Sequence, residues 1–325
     1  METDRYFIVG GAGFIGSHFI ARLLSDPAVQ RVTIFDNMSS GRTWHFAAHR
    51  ADRRFAFVRG DAKDLPALTA AMRGHSTVIH LASNPDIAKA QVQPDVDFYE
   101  GTLLTHQIVE ATRLSGARTI LYASGSGVYG DMGSTEVDES DSIGAPISTY
   151  GASKLAGEAL ISAYCFMFGL RGRAFRFGNV VGPRQTHGVG FDFIRRLLAE
   201  PTRLDILGDG RQSKSYIHVE DVVDAVLTAH ANTRGAYEVY NVATGDYITV
   251  TEIAELAVEL LGLARGSVRF NYSGGDRGWK GDVPVVRLNI DRIRATGWRC
   301  RRSSRQALSA ALTAMIEDFR AGRMS

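Results

Sequence analysis

The chain has few cysteines and little net charge. Its 325 residues include two cysteines, Cys165 and Cys300, and carry a formal net charge of +2 at pH 7. Two cysteines in unrelated contexts cannot form a disulfide framework, and neither has the spacing of a metal ligand. A charge this small gives no reason to expect a nucleic acid or a membrane surface as a partner. We therefore expect no metal, no nucleic acid and no membrane among the ligands and partners of this chain.

The sequence also lacks a long apolar run. Residues 1–9 contain acids and a short apolar segment before the glycines begin, which is not typical of a signal peptide. No later stretch approaches the ~20 apolar residues of a membrane-spanning helix. No internal repeat or low-complexity linker interrupts the chain, whose length suits one large core or two domains. These features predict a cytoplasmic globular protein.

The first half of the chain alternates short apolar runs with segments of helical periodicity. Strands are predicted at residues 6–9, 32–35, 55–58, 77–81 and 119–122, and helices around residues 15–24, 65–72, 103–114 and 150–168. Apolar strands that alternate with helices predict a parallel sheet with helices on both faces.

The pattern changes after about Phe177, where loops lengthen, glycines cluster and strands become sparse. We predict a doubly wound α/β domain over residues 1–177, to which a segment near 214–243 returns, with residues 238–242 as a strand. Residues 178–325 are predicted to form a smaller mixed α/β domain that binds the substrate. The two should share a cleft at the carboxyl edge of the parallel strands, where such sheets bind ligands.

A glycine-rich loop follows the first predicted strand and opens the first predicted helix. Gly10 permits a tight turn, Gly13 lets the backbone approach a pyrophosphate, and Gly16 lets helix and strand pack closely. Asp36 ends the second strand about twenty residues later, where a carboxylate bonds the adenosine ribose hydroxyls of NAD and would repel the 2′-phosphate of NADP. Arg42, which could favour NADP, comes only after a further loop. The pattern predicts a Rossmann fold that binds NAD.

Other strand ends lie along the same predicted cofactor edge. Residues 60–62 follow the third strand and residues 80–83 end the fourth, although His80 itself is expected to be a buried core residue. The full set of predicted NAD-binding residues is Gly10, Gly13, Phe14, Ile15, Gly16, Asp36, Asn37, Ser39, Ser40, Gly41, Asp61, Ala62, Leu81, Ala82, Ser83, Tyr150, Lys154, Phe177 and Val180.

Tyr150 and Lys154 form the predicted catalytic pair. Their spacing of four puts both on one face of a helix. An ammonium beside a phenol favours the phenolate and lowers the pKa of the tyrosine toward the range of a general base. The same lysine can also bond the nicotinamide ribose. After the glycine loop and Asp36, this pair predicts an NAD-dependent oxidoreductase chemistry.

With these motifs the chain resembles an extended short-chain dehydrogenase/reductase of the UDP-glucose 4-epimerase family, over nearly its whole length. The shared segments are GGAGFIGSH at 10–18 and the segments 36–42, 80–82, 128–130, 179–184, 208–210, 214–219 and 277–282, together with Tyr150 and Lys154. The resemblance implies an isomerase with bound NAD. The tyrosine removes the proton of the sugar 4-hydroxyl, C4 gives up and regains a hydride, and the 4-ketose turns over in between.

The resemblance also implies a substrate site and a homodimer. The predicted UDP-sugar residues are Asn179, Thr186, Lys214, Tyr216, Arg277 and Asp282. Among them, Arg277 is expected to clamp the diphosphate, because a guanidinium can bond phosphate bidentately. Lys214 stands where many relatives carry an arginine and would hold phosphate as a point charge. The helices at 103–114 and 150–168 are expected to pack as a four-helix bundle in the dimer.

One segment departs from the family pattern. Relatives usually carry a catalytic serine or threonine three residues before the valine of Val-Tyr-Gly, where this chain has Gly125. Ser126 and Ser124 flank that position, and two glycines make a local turn easy. We expect Ser126 to take the catalytic role, with Ser124 as the next candidate.

The same segment bears on the reaction. Sugar 4,6-dehydratases of the superfamily carry an Asp-Glu pair just before this valine, and UDP-glucuronate decarboxylases carry a glutamate there. Here those places hold Ser126 and Gly127. Without an acid, elimination and decarboxylation are disfavoured, and 4-epimerisation is expected.

The choice between UDP-glucose and UDP-glucuronate stays open. The small residues 125–127 leave room and free N–H groups for a C6 carboxylate. Uronate-specific relatives, however, place an arginine two residues after the family arginine, where this chain has Thr186.

The NAD-binding motifs are also compatible with two other functions. A non-catalytic NAD-binding sensor is disfavoured because such proteins commonly lose the tyrosine or the lysine. A net reductase would consume NADH stoichiometrically, whereas an epimerase would not.

Overall fold

The computed structural model describes residues 4–84, 86–141 and 145–323. Residues 1–3, part of the segment for which no signal peptide is expected, lie outside the described residues. Strands β1 to β15 span Arg5–Val9, Arg31–Asp36, Phe55–Arg59, Thr77–His80, Thr119–Gly125, Glu136–Val137, Arg171–Phe177, Asn179–Val181, Arg203–Ile206, Ser213–Lys214, Tyr216–His218, Tyr237–Val242, Ile248–Thr249, Arg269–Tyr272 and Arg287–Leu288. Helices α1 to α9 span Phe14–Leu24, Leu65–Met72, Leu104–Ser115, Thr149–Phe168, Val189–Ala199, Val219–Asn232, Val250–Leu260, Asp291–Ala295 and Ser304–Arg320.

Seven strands form one sheet in the order β12-β7-β5-β4-β1-β2-β3. The pairings of β1 with β2 and β4, of β2 with β3, and of β4 with β5 are parallel. The order of the strands reverses beside β1, so the sheet has the switch point at which doubly wound folds bind ligands. The predicted Rossmann-type α/β fold is confirmed. β12, which contains residues 238–242, lies at the edge of the sheet beside β7.

Apolar strands pack against the helices that connect them. Phe7, Val9, Val78 and Ile120 of the sheet are fully buried with residues of α2, α3 and α4 in one cluster. Burial of side chains of this size contributes roughly 1.5–3 kcal/mol each. This packing holds the carboxyl ends of the strands, and the loops that follow them, in fixed positions.

The chain divides into two compact units. The first comprises Met1–Val128, Ser148–Arg176 and Val226–Tyr240, and the second comprises Tyr129–Ile147, Phe177–Ala225 and Asn241–Ser325. Residues 129–147 group with the second unit, whereas the sequence prediction placed them in the first domain. The physical reason is pairing: β6 bonds β15 in parallel, and the hydroxyl of Tyr129 donates to Asn241 at 2.8 Å.

The second unit has its own apolar core. Helices α5, α7 and α9 bury a shared face against short strands, with Ile194, Ile253, Leu308 and Leu312 fully enclosed. Capping boxes begin α7 at Thr249 and α9 at Ser303. Each cap satisfies two backbone N–H groups that the helix itself cannot pair.

The helix predicted at 103–114 is preceded by an element that the sequence did not predict. The segment Phe98–Leu103 is a π-helix that leads directly into α3, which begins at Leu104. π-Helical turns inside helices are rare and frequently occur at functional sites. Among the described residues, no helix is long and apolar enough to cross a membrane, and no cluster of side chains suits a metal ion.

Candidate active site

The glycine loop adopts the conformation that its sequence predicts. Gly10 has φ of +79°, and a Cβ there would lie 2.7 Å from the backbone nitrogen of Ala82. A Cβ on Gly16 would lie 2.5 Å from the carbonyl oxygen of Gly11, so the helix can approach the loop only with glycine at this position. Gly13 is the N-cap of α1, which has no side-chain cap and no acid in its first turn. The first N–H groups of α1 therefore suit a phosphate.

Asp36 closes the loop from the end of β2. Its Oδ2 accepts from the backbone N–H of Ala12 at 2.9 Å, and its Oδ1 accepts from that of Met38 at 2.8 Å. Burial raises the pKa of this carboxyl, while the two backbone hydrogen bonds oppose the rise. Each carboxylate oxygen has further acceptor capacity, so Asp36 can also bond the hydroxyls of a ribose. The loop, the helix start and this carboxylate together fit NAD.

Most of the remaining predicted cofactor residues lie at strand ends or in the loops that follow, and the others lie at the start of α1 and within β8. Leu81 and Ala82 both donate their N–H groups to Val9, which places the end of β4 beside the glycine loop. Phe14 and Ile15 open α1, residues 37–41 follow β2, residues 61 and 62 follow β3, Ser83 follows β4, and Phe177 and Val180 lie at the end of β7 and within β8. Phe177 and Val180 belong to the second unit and the others to the first.

Tyr150 and Lys154 lie on the first turns of α4. The ammonium of Lys154 lies 5.4 Å from the centre of the Tyr150 ring and donates to the carbonyl oxygen of Ala123 at 2.8 Å. Lys154 is buried, and burial lowers its pKa to about 8, although Asp97 and Glu158 act in the opposite direction.

The environment of Tyr150 differs from the sequence expectation. Burial and the charge of Asp97 raise the pKa of its hydroxyl, while a hydrogen bond with Ser83 lowers it. The expected net lowering by Lys154 is therefore not found. The reason is that the phenol is taken out of water together with the lysine, and desolvation disfavours the phenolate.

The start of α4 is fixed by two close contacts. The hydroxyl of Ser148 accepts from the N–H of Gly151 at 3.1 Å, which caps the helix. A Cβ on Gly151 would lie 2.4 Å from the carbonyl oxygen of Gly127. The turn after β5 therefore rests directly on the first turn of α4, beside Tyr150.

Ser124 is hydrogen-bonded to a buried ion pair. Its hydroxyl donates to Oε1 of Glu158 at 2.5 Å. The same carboxylate accepts two hydrogen bonds from the guanidinium of Arg176, at 3.0 and 2.7 Å, and all three side chains are buried. This arrangement joins β5, α4 and β7 beneath the catalytic pair. It does not offer the Ser124 hydroxyl to a substrate.

Ser126 has a different environment. It begins the 3-10 turn Ser126–Tyr129 and is half-buried. Within the described parts of the chain, its hydroxyl has no hydrogen-bond partner. At Gly125 a Cβ would meet nothing within 4 Å, and the backbone there has no positive φ. The position where relatives carry a hydroxyl is thus open space in this protein.

The second unit brings together five of the six predicted substrate residues. Asn179 and Tyr216 are register partners in β8 and β11, and their side chains are hydrogen-bonded. Lys214 pairs with Asp282 at 2.5 Å, and Asp282 raises the pKa of Tyr216 further than burial alone does. Arg277 donates to the carbonyl oxygen of Asp282 at 2.7 Å.

Both predicted phosphate ligands are paired with carboxylates. Arg277 contacts Asp131 at 2.5 Å, and Lys214 contacts Asp282. The two cations are therefore held in defined positions by acids of the same unit. Thr186 lies in the loop before α5 and makes no hydrogen bond to this group within the described residues.

Sequence reasoning missed three groups at this site. Ser83 was predicted as a cofactor residue, but not as a neighbour that lowers the pKa of Tyr150. The pair of Glu158 and Arg176 was not predicted, although Glu158 stands four residues after Lys154 and so shares its helical face. Asp97 gave no signal in the sequence, because it acts through residues distant in the chain.

Comparison with known proteins agrees with this geometry. Residues 6–243 match the NAD dependent epimerase/dehydratase family. The chain belongs to this family. It is 31% identical to a UDP-glucose 4-epimerase of Mycolicibacterium smegmatis over 97% of this chain and 98% of the relative. It is also 31% identical to a dTDP-glucose 4,6-dehydratase of an Actinoplanes species, over 87% and 90% of the two chains.

A solved structure gives the same result. MoeE5 in complex with UDP-glucuronic acid and NAD is 28% identical and matches with a TM-score of 0.84, covering 98% of this chain and 99% of that one. The chain is thus an NAD-dependent enzyme of nucleotide-sugar metabolism, with the extended short-chain dehydrogenase/reductase fold.

Proposed function

We propose that this enzyme is a UDP-sugar 4-epimerase that inverts C4 through a 4-keto intermediate. The observation that carries the proposal is the pair of half-buried Tyr150 and buried Lys154 beside a turn, Ser126–Tyr129, that contains no acid. When bound, NAD accepts a hydride from C4 of the sugar and returns it. Gly10, Gly13 and Asp36 would hold this cofactor at the edge of the sheet.

The protein's own residues perform the proton chemistry. Tyr150 accepts the proton of the 4-hydroxyl and gives it back when the other epimer forms. Lys154 stays protonated, orients the cofactor ribose and stabilises the phenolate by its charge. Ser126 bonds the 4-hydroxyl in place of the hydroxyl that relatives carry at position 125. Ser124, the other candidate, is not available for this role, because its hydroxyl donates to the buried carboxylate of Glu158.

The diphosphate is assigned to the second unit. Lys214 and Arg277 supply positive charge, while Asn179 and Tyr216 supply hydrogen bonds beside them. Binding of a diphosphate would exchange the contacts of the two cations with Asp282 and Asp131 for contacts with phosphate oxygens. Affinity for the nucleotide sugar should therefore depend on ionic strength.

Dehydration is the alternative within the family, because dehydratases are among the relatives. It requires acid–base groups that expel water across C5 and C6. The turn after β5 offers only Ser126 and Gly127 at the positions concerned. UDP-glucose and UDP-glucuronate both remain candidate substrates. The open space at Gly125 leaves room for a C6 carboxylate, whereas Thr186 supplies no charge to bind one.

Deuterium at C4 of the substrate tests the reaction type. The proposal predicts that the product is the 4-epimer, that deuterium remains at C4, and that the C6 substituent is unchanged. A product that has lost its C6 hydroxyl and gained solvent hydrogen at C5 would show dehydration instead. Tyr150→Phe should lower turnover at least about 100-fold, since a positioned general base contributes on this scale.

We propose further that the protein is a homodimer formed through α4. This helix of twenty residues has two charged side chains, Lys154 and Glu158, and both are buried. Its exposed residues are instead small or apolar, and Phe166 has 92% of its surface exposed. An apolar helix face of this kind is typical of an interface. A second copy of this chain is the partner that we assign to it.

A further inference from the structure

Asp97 is a buried carboxylate outside the predicted cofactor and substrate sets. It immediately precedes the π-helix Phe98–Leu103, and 1% of its surface is exposed. Its Oδ1 accepts from the side-chain amide of Asn84 at 3.0 Å, and its Oδ2 accepts from the hydroxyl of Thr149 at 2.7 Å. A single side chain therefore joins the loop after β4 to the first residue of α4.

The two contacts reach residues next to Ser83 and Tyr150. Asn84 accepts at its carbonyl oxygen from the hydroxyl of Ser83 at 3.2 Å, and Ser83 is the neighbour that lowers the pKa of Tyr150. Thr149 directly precedes Tyr150. The π-helix also packs tightly on α4, because a Cβ on Gly101 would lie 2.5 Å from the hydroxyl oxygen of Ser153. Asp97 is thus held rigidly in relation to the catalytic helix.

We propose, on the basis of the proposed epimerase function, that Asp97 is a positioning residue: it fixes the loop of Ser83 and the start of α4 at Tyr150 in relation to each other and places a negative charge beside the pair. Thr149 and Asn84 fix the direction of the carboxylate. The charge matters because Lys154 is buried and would otherwise lose its proton more easily.

Other groups also face the pair. Around Lys154 these are Glu158 on α4, His80 on β4 and the ring of Tyr122 on β5. Around Tyr150 they are Ser83 and, through its own electrostatic interaction, Tyr122. Asp97 raises the pKa of both Tyr150 and Lys154, whereas among these neighbours only Glu158 shares that effect on Lys154.

Asp97→Asn separates the charge from the contacts. The amide oxygen can still accept from Asn84, and the amide nitrogen can donate to the hydroxyl of Thr149, because a hydroxyl oxygen also accepts. Thr149→Val is the matched variant, since it removes one contact and leaves the charge of Asp97 in place.

The first readout needs no substrate. Tyrosinate absorbance is titrated in each protein and in its Tyr150→Phe counterpart, and the difference reports Tyr150 alone. We expect the midpoint to fall by about one pH unit in Asp97→Asn, a typical effect of removing a nearby like charge. In Thr149→Val we expect no shift.

The second readout is the pH profile of kcat/KM. Both limbs should move to lower pH in Asp97→Asn, while Thr149→Val lowers the rate without moving either limb. The same midpoint in Asp97→Asn as in the wild type, or an equal shift in Thr149→Val, would overturn the proposal. A shifted tyrosinate midpoint in a protein that epimerises no UDP-sugar would instead refute the proposed function and leave this inference standing.

Discussion

At the scale of single residues, the proposed role of Ser126 depends on the geometry of Gly125 and Ser126. A Cβ at Gly125 meets nothing within 4 Å, and Ser126 next to it is half-buried with an unengaged hydroxyl in the described structure. We predict that Ser126→Ala lowers kcat by about 100-fold, on the scale of one positioned acid–base group. Adding Gly125→Ser to that variant should recover at least about ten-fold, because it restores a hydroxyl at the family position.

Ser124→Ala is the control for this pair of variants. Its hydroxyl supports Glu158 in the buried core, so the loss should appear in the free energy of unfolding, at roughly 1–3 kcal/mol. Steady-state turnover of the folded fraction should stay near that of the wild type. Wild-type turnover in Ser126→Ala, with a large loss in Ser124→Ala, would reverse the assignment.

The proposed mechanism requires a protonated Lys154, and this predicts the pH range of the enzyme. Burial lowers the pKa of this ammonium from its ordinary range to about 8. Because the charged form is the active one, kcat/KM of the wild type should fall as pH rises through that value. A profile measured between pH 6 and 10 checks this. A plateau that extends to pH 10 would mean that the charge of Lys154 is not needed.

At the scale of elements, the contact between the β5 turn and α4 determines where Tyr150 lies. A Cβ on Gly151 would lie 2.4 Å from the backbone oxygen of Gly127, and neither backbone can move without shifting its element. Gly151→Ala should therefore lower kcat roughly 100-fold, as expected for a displacement of about 1 Å. Gly125→Ala adds the same methyl group into open space and should keep kcat within about two-fold of wild type. Equal losses in the two variants would contradict this account.

Local patterns predicted the main strands and helices of residues 6–168. The glycine loop and Asp36 predicted the cofactor edge because glycine is needed where close backbone contacts leave no room for a side chain, as at Gly10 and Gly16. Such positions can be recognised from a few neighbouring residues. The π-helix and Asp97 could not be predicted in this way. Asp97 contacts Asn84 and Thr149, and the latter lies 52 positions away in the sequence. Propensity and periodicity describe neighbours along the chain and do not specify such contacts.

At the scale of the whole molecule, α4 has two buried charges and an exposed apolar face. We predict that Phe166→Glu or Ala159→Glu converts a dimer to a monomer, because a charge would be buried without a partner at the interface. Sedimentation analysis measures the mass of each variant. Leu207→Glu is the control, since Leu207 is 56% exposed but lies in the second unit. A monomeric wild type would refute the assigned dimer.

The sequence predicted only part of the division of residues between the two units. The change in pattern near Phe177 indicated a boundary, and the boundary of the second unit also falls at Phe177. Residues 129–147 gave no such indication, because their grouping depends on the pairing of β6 with β15. The sequence also leaves the choice of sugar open, because the small residues 125–127 suit a C6 carboxylate whereas Thr186 carries no charge to bind one.

The central claim is inversion at C4 by an enzyme that regenerates its own NAD. The most direct test incubates the purified protein with UDP-glucose and, separately, with UDP-glucuronate, without added NAD, and follows the sugar by NMR. The account predicts that one of the two substrates reaches an equilibrium mixture with its 4-epimer and that no NADH accumulates in solution. The absence of a 4-epimer from both substrates, even after NAD is added, would contradict it.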